Sequence, residues 1–430
     1  MCTVFIAVAG AASELGMSSA LIQKKEDKEA EKLYSTSFWT SIFWGIGIYT
    51  TIALMVGPFA ARFYGEPILV QLIPVLSIGI LLKPLVMVHT VKLTRAMDFK
   101  RIAKILNISA LIAGIVSISS AYLGFGVWAL VLNNILVPIL SIPLFYRATY
   151  WMPALNWNKD HFKEIFGFGA YSTGTSIFST LTYNVDNLMI GKLLGAGPLG
   201  AYSLSFSLTE QLRQVFSSVM NRVMYPVFGK NQDNKKKLLN YFLKIINFNA
   251  IAIYPLMTFF LLFGSEIILG FFGSEWEGAI IPLKVLALAM MVHLLVNSFA
   301  SLIRGLGKPK LEMKIIIGLT VFVLIPSLYV GISLYGLLGA ALAILLNKIC
   351  LATTGIWVLK KEIGLNIKAL YMAVRNPIFG VLISGGIVYA LQNIGIDKLY
   401  FTIPIYILCY CAILYKLEFE NIKVLFKNLK

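Results

Sequence analysis

The sequence has 430 residues, of which 58% are hydrophobic and only 13% are charged, whereas a soluble domain has roughly 25% charged residues. This composition excludes an ordinary soluble domain and predicts a protein that crosses a membrane many times. The net charge of +17 does not require a nucleic-acid partner, because membrane proteins concentrate Lys and Arg in their cytoplasmic loops.

Apolar segments long enough to span a bilayer recur along the whole chain. A transmembrane helix needs about 20 mostly apolar residues, whereas a transmembrane strand is about half as long and alternates apolar with polar positions. Thirteen segments follow the helical pattern, and we therefore expect an all-α polytopic membrane protein with about 13 transmembrane helices. In chain order they are 1–22, 38–61, 69–91, 105–123, 126–146, 165–190, 199–228, 242–263, 278–303, 312–331, 335–359, 373–391 and 399–415.

Basic residues alternate between the loops that connect these segments. Most Lys and Arg fall after the odd-numbered segments and in the C-terminal tail, and the intervening loops hold only Arg62, Lys192 and Lys398. The positive-inside rule then predicts a cytoplasmic C-terminus. Segment 1 would enter from the outer side, so we expect a further helix before Met1. A signal peptide is the alternative interpretation of the first residues, although no basic region precedes the apolar stretch.

Two parts of the chain resemble each other in sequence. ARFYGEPILVQLIPVLSI from Ala61 resembles LGFFGSEWEGAIIPLKVL from Leu269, and YLGFGVWALVLNN resembles LYGLLGAALAILLN further along. The matched parts lie on the same side of the membrane by the charge pattern, which indicates a parallel repeat. The repeat predicts two pseudo-symmetric helical bundles around a central cleft. The predicted limits are an N-terminal lobe at 1–150, a C-terminal lobe at 151–368, and two extra helices with a basic cytoplasmic tail at 369–430.

Four motifs resemble those of one known family. They are ELGMSSALIQKKE at 14–26, GFGVWAL at 124–130, NVDNLMIGKLLGAGPLGAYSLSFSL at 184–208 and NRVMYPVFGKNQDN at 221–234. The whole chain resembles the polysaccharide transporter family of the MOP superfamily, the flippases of lipid-linked oligosaccharides of the O-antigen type. The resemblance implies two helical lobes with two extra C-terminal helices. The chain fits that pattern without the family's first helix.

The same resemblance implies a function. It is the export of an oligosaccharide linked to undecaprenyl pyrophosphate across the bacterial cytoplasmic membrane, by alternating access, for polysaccharide biosynthesis. The implied partners are the lipid-linked substrate, membrane lipids, and a proton or sodium ion as coupling ion. A multidrug or cation antiporter of the related MATE type is the alternative, but the spans hold more basic than acidic residues.

Motifs for catalysis are missing from the sequence. It has no Walker motif, no Gly-x-Ser-x-Gly and no paired histidines, and its four cysteines and three histidines are scattered. The predicted outer loops are too short to form a domain, which disfavours an intramembrane glycosyltransferase or glycan polymerase. We therefore expect no enzyme activity, no cofactor and no metal site.

Charged and amide side chains inside the spans are the candidate site residues, because intramembrane charges usually face the protein interior or a cavity. Lys83 lies near a mid-span position, and Arg213 follows Glu210 by three positions, so a local ion pair is expected. Asp186 and its neighbour Asn184 either line a cavity or form hydrogen bonds between helices. The predicted substrate-binding residues are Lys83, Arg213, Arg222, Lys348, Asp186 and Asn184.

The remaining intramembrane charges have a second interpretation. Arg222, Lys284 and Lys348 lie near predicted helix ends, where long basic side chains extend to the membrane interface. Glu14 either pairs with a cation of the second lobe or lies near the cytoplasmic end of segment 1. The sequence alone does not choose between these interpretations.

Overall fold

The protein is all-α. The computed structural model describes residues 1–13, 15–23, 30–395 and 399–427, and within these ranges the chain forms helices and turns and no β-strand. The α-helices are α1 Cys2–Ser13, α2 Met17–Gln23, α3 Ala30–Thr51, α4 Gly57–Tyr64, α5 Leu69–Arg95, α6 Phe99–Tyr122, α7 Val127–Thr149, α8 Lys159–Tyr183, α9 Val185–Leu194, α10 Ala196–Lys230, α11 Lys235–Ile267, α12 Ile280–Leu294, α13 Phe299–Gly305, α14 Pro309–Leu319, α15 Ile325–Ile363, α16 Ile367–Asn393 and α17 Leu399–Lys427.

Many of these helices are long and apolar enough to cross a membrane. Nine stretches in the described part of the chain meet that requirement, and every one of the thirteen predicted segments falls on helical structure. Two further helices, α8 with 25 residues and α10 with 35, are long enough but carry more hydroxyl and charged side chains. The prediction of an all-α polytopic membrane protein is confirmed.

The longest apolar stretch, Lys310–Ile363, contains a reversal of the chain at Gly336. Gly336 has φ 56° and ψ −131°, a conformation that glycine adopts without strain. A Cβ built on Gly331 would lie 2.6 Å from the carbonyl oxygen of Gly339, so the two backbones touch. In one straight helix these residues would be about 12 Å apart along the axis. The reversal separates predicted segments 10 and 11, as the sequence indicates.

One pair of turn glycines shares its conformation between the two repeated parts of the chain. Gly126, which precedes α7, has φ 53° and ψ −128°, nearly the same as Gly336. Gly65 and Gly273, which the sequence repeat aligns, both have positive φ, of 73° and 94°, but their ψ angles of 24° and 169° differ. The agreement between Gly126 and Gly336 supports the internal repeat.

Packing divides the chain into two compact units, Met1–Leu188 and Met189–Lys430. In the first unit α8 packs against α1, α2 and α3, whereas the sequence repeat assigns this helix to the second lobe. The lobe limits predicted from the repeat stay a prediction. In the second unit the C-terminal helices α16 and α17 pack against each other, and α16 packs on α11. The hydroxyl groups of Tyr406 and Tyr410 donate hydrogen bonds to carbonyl oxygens of α11 at 2.9 and 2.8 Å.

The connection between α7 and α8 is tied to the first half of α3. The indole nitrogen of Trp39 donates to the carbonyl oxygen of Ala154 at 2.9 Å. The backbone N–H groups of Ala154 and Asn158 donate to the hydroxyl oxygens of Ser35 and Thr36, each at 3.2 Å. These bonds hold the start of α8 beside α3 and so help to place α8 within the first unit.

The contact between Gly331 and Gly339 leads to a prediction about stability. We expect Gly339→Ala to lower the stability of the folded protein by about 1–3 kcal/mol, because its Cβ would overlap the backbone of Gly331. The measurement is the thermal midpoint of the purified protein in detergent. Gly386→Ala in α16 is the control, since a Cβ there meets no atom within 4 Å. A Gly339→Ala protein as stable as the Gly386→Ala protein would contradict the hairpin packing.

Candidate functional site

The first span is broken inside the first unit. Helix α1 ends at Ser13, Leu15 and Gly16 take positive φ values of 44° and 58°, and α2 starts at Met17. This break corrects the prediction of a continuous segment 1. Glu14 lies outside the described residues. Broken helices occur at membrane depth only where the irregular backbone is buried in protein or lines a cavity.

Side chains from neighbouring helices satisfy carbonyl groups of both half-helices. The indole nitrogen of Trp44 in α3 donates to the carbonyl oxygen of Ala12, next to the break, at 2.9 Å. A guanidinium nitrogen of Arg95 in α5 donates to the carbonyl oxygen of Leu21, in the last turn of α2, also at 2.9 Å. Helices α3 and α5 therefore hold both half-helices in place.

A cavity of about 450 Å³, with a mainly apolar surface and six polar side chains in its wall, lies beside the break, within the first unit. Its wall includes the ammonium-bearing side chain of Lys83 and five hydroxyl side chains. A Cβ built on Gly10 would lie 3.1 Å from the ammonium nitrogen of Lys83, so this cation lies against the last turn of α1, where a helix favours positive charge. We call this space the Lys83 cavity, and its polar lining residues are Ser13, Ser18, Ser41, Lys83, Thr90 and Thr94.

An ion pair lies at the midpoint of α10 in the second unit. Nε of Arg213 donates to Oε2 of Glu210 at 2.9 Å, and Nη2 donates to Oε1 at 2.5 Å. The third guanidinium nitrogen, Nη1, donates to the side-chain oxygen of Asn297. Both charged side chains are only 13% exposed. The predicted local pair between Glu210 and Arg213 is confirmed, and its geometry is bidentate.

Asn297 lies in a second helix break. Residues 295–298 form a turn between α12 and α13, so predicted segment 9 is not continuous. Lys348 of α15 interacts electrostatically with Glu210, and His293 at the end of α12 interacts with both Arg213 and Lys348. We call Glu210, Arg213, His293, Asn297 and Lys348 the central polar cluster. It combines one carboxylate with the side chains of an arginine and a lysine.

The other predicted site residues have local partners or lie outside the described side chains. The amide nitrogen of Asn184 donates to the carbonyl oxygen of Thr180 at 2.8 Å and so caps α8. Asp186 is buried, and its Oδ1 accepts a bond from the N–H of Asn187 at 2.9 Å. Arg222 belongs to α10, but its side chain lies outside the described part.

The structure thus brings Arg213 and Lys348 together in the second unit and places Lys83 in the first. Lys284 is not part of either group, since its ammonium nitrogen donates to the hydroxyl of Ser265 at 3.3 Å. Sequence reasoning missed Asn297, His293 and the hydroxyl groups of the Lys83 cavity, because they join the charged residues only through contacts between helices.

Comparison with known proteins decides the family. Residues 1–281 match the family described as "Polysaccharide biosynthesis protein". The chain belongs to this family. The polysaccharide biosynthesis family was expected from the sequence motifs, and that expectation is confirmed.

Relatives and a solved structure agree with this assignment. The teichuronic acid biosynthesis protein TuaB of Bacillus subtilis (strain 168) is 26% identical over 368 residues, 85% of this chain and 75% of the relative. The lipopolysaccharide biosynthesis protein WzxC of Escherichia coli (strain K12) is 26% identical over 355 residues, 80% of this chain and 70% of the relative. The structure titled "Lipid II flippase MurJ, inward closed conformation" has a TM-score of 0.75 at 16% identity and covers 97% of this chain and 92% of that chain, which shows a shared fold.

The capped break in the first unit leads to a second prediction. We expect Trp44→Phe to destabilise the protein by about 1–3 kcal/mol, because the carbonyl oxygen of Ala12 would lose its donor where lipid offers no replacement. Thermal unfolding in lipid nanodiscs measures the effect. Trp357→Phe is the matched control, since Trp357 is 67% exposed. Equal unfolding midpoints for the two variants would show that the bond does not hold the break.

Proposed function

We propose that this protein moves a lipid-linked oligosaccharide from the inner to the outer leaflet of a bacterial cytoplasmic membrane for polysaccharide biosynthesis. The observation that carries the proposal is the presence of cations and hydroxyl groups inside the membrane helices of a polysaccharide biosynthesis family member. TuaB and WzxC are named for the synthesis of polysaccharides, and MurJ is named as a flippase of lipid II. The fold shared with MurJ supports a transport role.

The physical obstacle to this transport is the charged headgroup. Moving one ion from water into a medium of low dielectric constant costs on the order of 20 kcal/mol in the Born limit, and a pyrophosphate carries more than one charge. A transporter must therefore offer positive charge and hydrogen-bond partners within the membrane. The Lys83 cavity and the central polar cluster supply both.

Different parts of the substrate need different partners. The central polar cluster suits the pyrophosphate, because a guanidinium binds phosphate oxygens in a bidentate manner. The hydroxyl groups and ammonium of the Lys83 cavity suit sugar hydroxyls, which both donate and accept hydrogen bonds. Arg222, Asp186 and Asn184 stay in the proposed substrate-binding set on the basis of the sequence alone.

Driving force and orientation are part of the same proposal. A proton or sodium ion is the proposed coupling ion, and no chemical step on the substrate is proposed. The basic loops after alternate spans favour a cytoplasmic C-terminus.

Export in cells tests the proposed function. In the native strain with its own copy replaced by the variant, we expect Lys83→Ala to reduce surface glycan at least tenfold and to raise the lipid-linked intermediate in the membrane, because a cation beside the transport route is removed. Surface glycan is measured by antibody binding and the intermediate by lipid extraction.

The control for this experiment is Lys284→Ala at equal protein level, because Lys284 pairs with Ser265 outside both polar groups. Normal surface glycan in the Lys83→Ala strain would remove the Lys83 cavity from the transport route. A strain without the protein that keeps its surface glycan would overturn the proposed function.

Orientation has a separate test. We expect a fluorescent protein fused after Lys430 to fluoresce and an alkaline phosphatase fused there to be inactive, because the positive-inside rule places this end in the cytoplasm. An active phosphatase fusion would reverse the proposed orientation of every span.

A further inference from the structure

The guanidinium of Arg213 binds an anion from its own helix, the carboxylate of Glu210. All three of its guanidinium nitrogens have acceptors, two of them the carboxylate oxygens of Glu210 and the third the side-chain oxygen of Asn297. The amide of Gln214 donates a further bond to Oε1 of Glu210 at 3.0 Å. The paired guanidinium N–H groups, which could bind a phosphate in a bidentate manner, are therefore already bound to a carboxylate.

This pair has exposed polar side chains next to it on the same helix. Arg213 is at the midpoint of α10, and the neighbouring side chains of Gln211 and Gln214 are exposed. Polar side chains exposed at the centre of a membrane helix normally face a water-filled space rather than lipid. The pair itself is only 13% exposed, so an incoming anion has to displace the carboxylate to bind the guanidinium.

A second cation is available to the carboxylate. Lys348 on α15 already interacts electrostatically with Glu210. Removing one partner of a buried ion pair is costly because it leaves a charge uncompensated, whereas an exchange of partners avoids this cost. A Glu210 carboxylate released from Arg213 would still be attracted by the positive charge of Lys348.

We propose that Glu210 is an internal competitor for the anionic headgroup: its carboxylate occupies Arg213 in the empty transporter, and the pyrophosphate of the substrate displaces it toward Lys348. This inference rests on the proposed function, since that function supplies the pyrophosphate. A headgroup with more than one negative charge outcompetes a single carboxylate for the guanidinium N–H groups of Arg213. The same competition lowers the net affinity of the site, because part of the binding free energy is used to separate the existing pair.

The competition has a structural consequence through Asn297. This residue lies in the turn between α12 and α13 and accepts a bond from the same guanidinium group. A movement of Arg213 toward a bound headgroup changes the bond that holds this turn. Headgroup binding is thereby linked to the turn between α12 and α13.

Binding of farnesyl pyrophosphate to the purified full-length protein in detergent tests the inference. We expect Glu210→Gln to bind this probe about tenfold more tightly than the wild-type protein, because the competing charge is gone. The double variant Glu210→Gln with Arg213→Gln should lose that gain. Glu312→Gln is the matched control: Glu312 also forms a bidentate pair, with Arg304 at 2.6 and 2.7 Å, and its loss should leave probe affinity unchanged.

Two results would overturn the inference. One is an unchanged or weaker affinity of the Glu210→Gln protein, and the other is a gain that persists in the double variant. If Glu210→Gln does not fold, Glu210→Asp decides, because the shorter carboxylate cannot keep both bonds to the guanidinium of Arg213. Tighter binding of the probe by Glu210→Asp then supports the competition, and equal or weaker binding contradicts it.

Failure of this inference is distinguishable from failure of the proposed function. If the wild-type protein exports glycan in cells while Glu210→Gln fails to bind the probe more tightly, only the role of Glu210 is wrong. If cells lacking the protein export glycan normally, the proposed function is wrong whatever the binding data show. A gain in affinity for inorganic pyrophosphate equal to that for the prenyl probe would place the competition at the headgroup, as proposed, and a gain for farnesol would contradict it.

Discussion

The structure depends on one constraint: inside a membrane, a backbone group that leaves helical geometry must find its partner within the protein. At the break between α1 and α2 the indole of Trp44 satisfies the carbonyl oxygen of Ala12. At the break between α12 and α13 the N–H groups of residues 295–297 bond to the carbonyl oxygens of residues 292–294, and the side chain of Asn297 accepts a bond from Arg213. In each unit polar side chains lie at an interruption of a span, and the candidate binding groups lie near those places.

This arrangement also explains which helices are polar. Helix α8 carries Ser, Thr and Gly along much of its length, and α10 carries Glu210 and Arg213 at its centre. Both are long enough to span a bilayer, yet they are less apolar than the stretches that meet the membrane requirement. A helix that contacts a charged substrate must carry polar side chains and is therefore less hydrophobic. Those polar side chains need hydrogen-bond or ion-pair partners on neighbouring helices. The apolar helices α16 and α17 have no such role in the described contacts and support α11 instead.

Much of the fold follows from the sequence because spans and turns are local features. Apolar length alone places the thirteen segments on helical structure, although short turns interrupt segments 1, 6 and 9, and Gly65, Gly126 and Gly336 mark turns through their backbone freedom. The pair of Glu210 and Arg213 was also predictable, since residues three apart face each other on a helix.

The parts that escaped prediction depend on contacts between helices. Asn297 is 84 positions from Arg213, and the hydroxyl groups around Lys83 come from three helices and the end of a fourth. The sequence period shows which face of a helix is polar but not which helix it meets. The breaks at Leu15 and Asn297 were missed for a related reason. A long apolar sequence predicts one continuous helix, even where hydrogen bonds from side chains of other helices stabilise an interruption of that helix.

The central claim is that this chain by itself carries a lipid-linked oligosaccharide across a bilayer. Its most direct test is the purified protein in liposomes that hold the lipid-linked oligosaccharide in both leaflets, with a membrane-impermeant glycosidase added outside. The account predicts that the enzyme digests nearly all of the glycan when the protein is present and about half when it is absent. Digestion that stops at the same fraction with and without the protein, under an imposed proton gradient and an imposed sodium gradient, would contradict it.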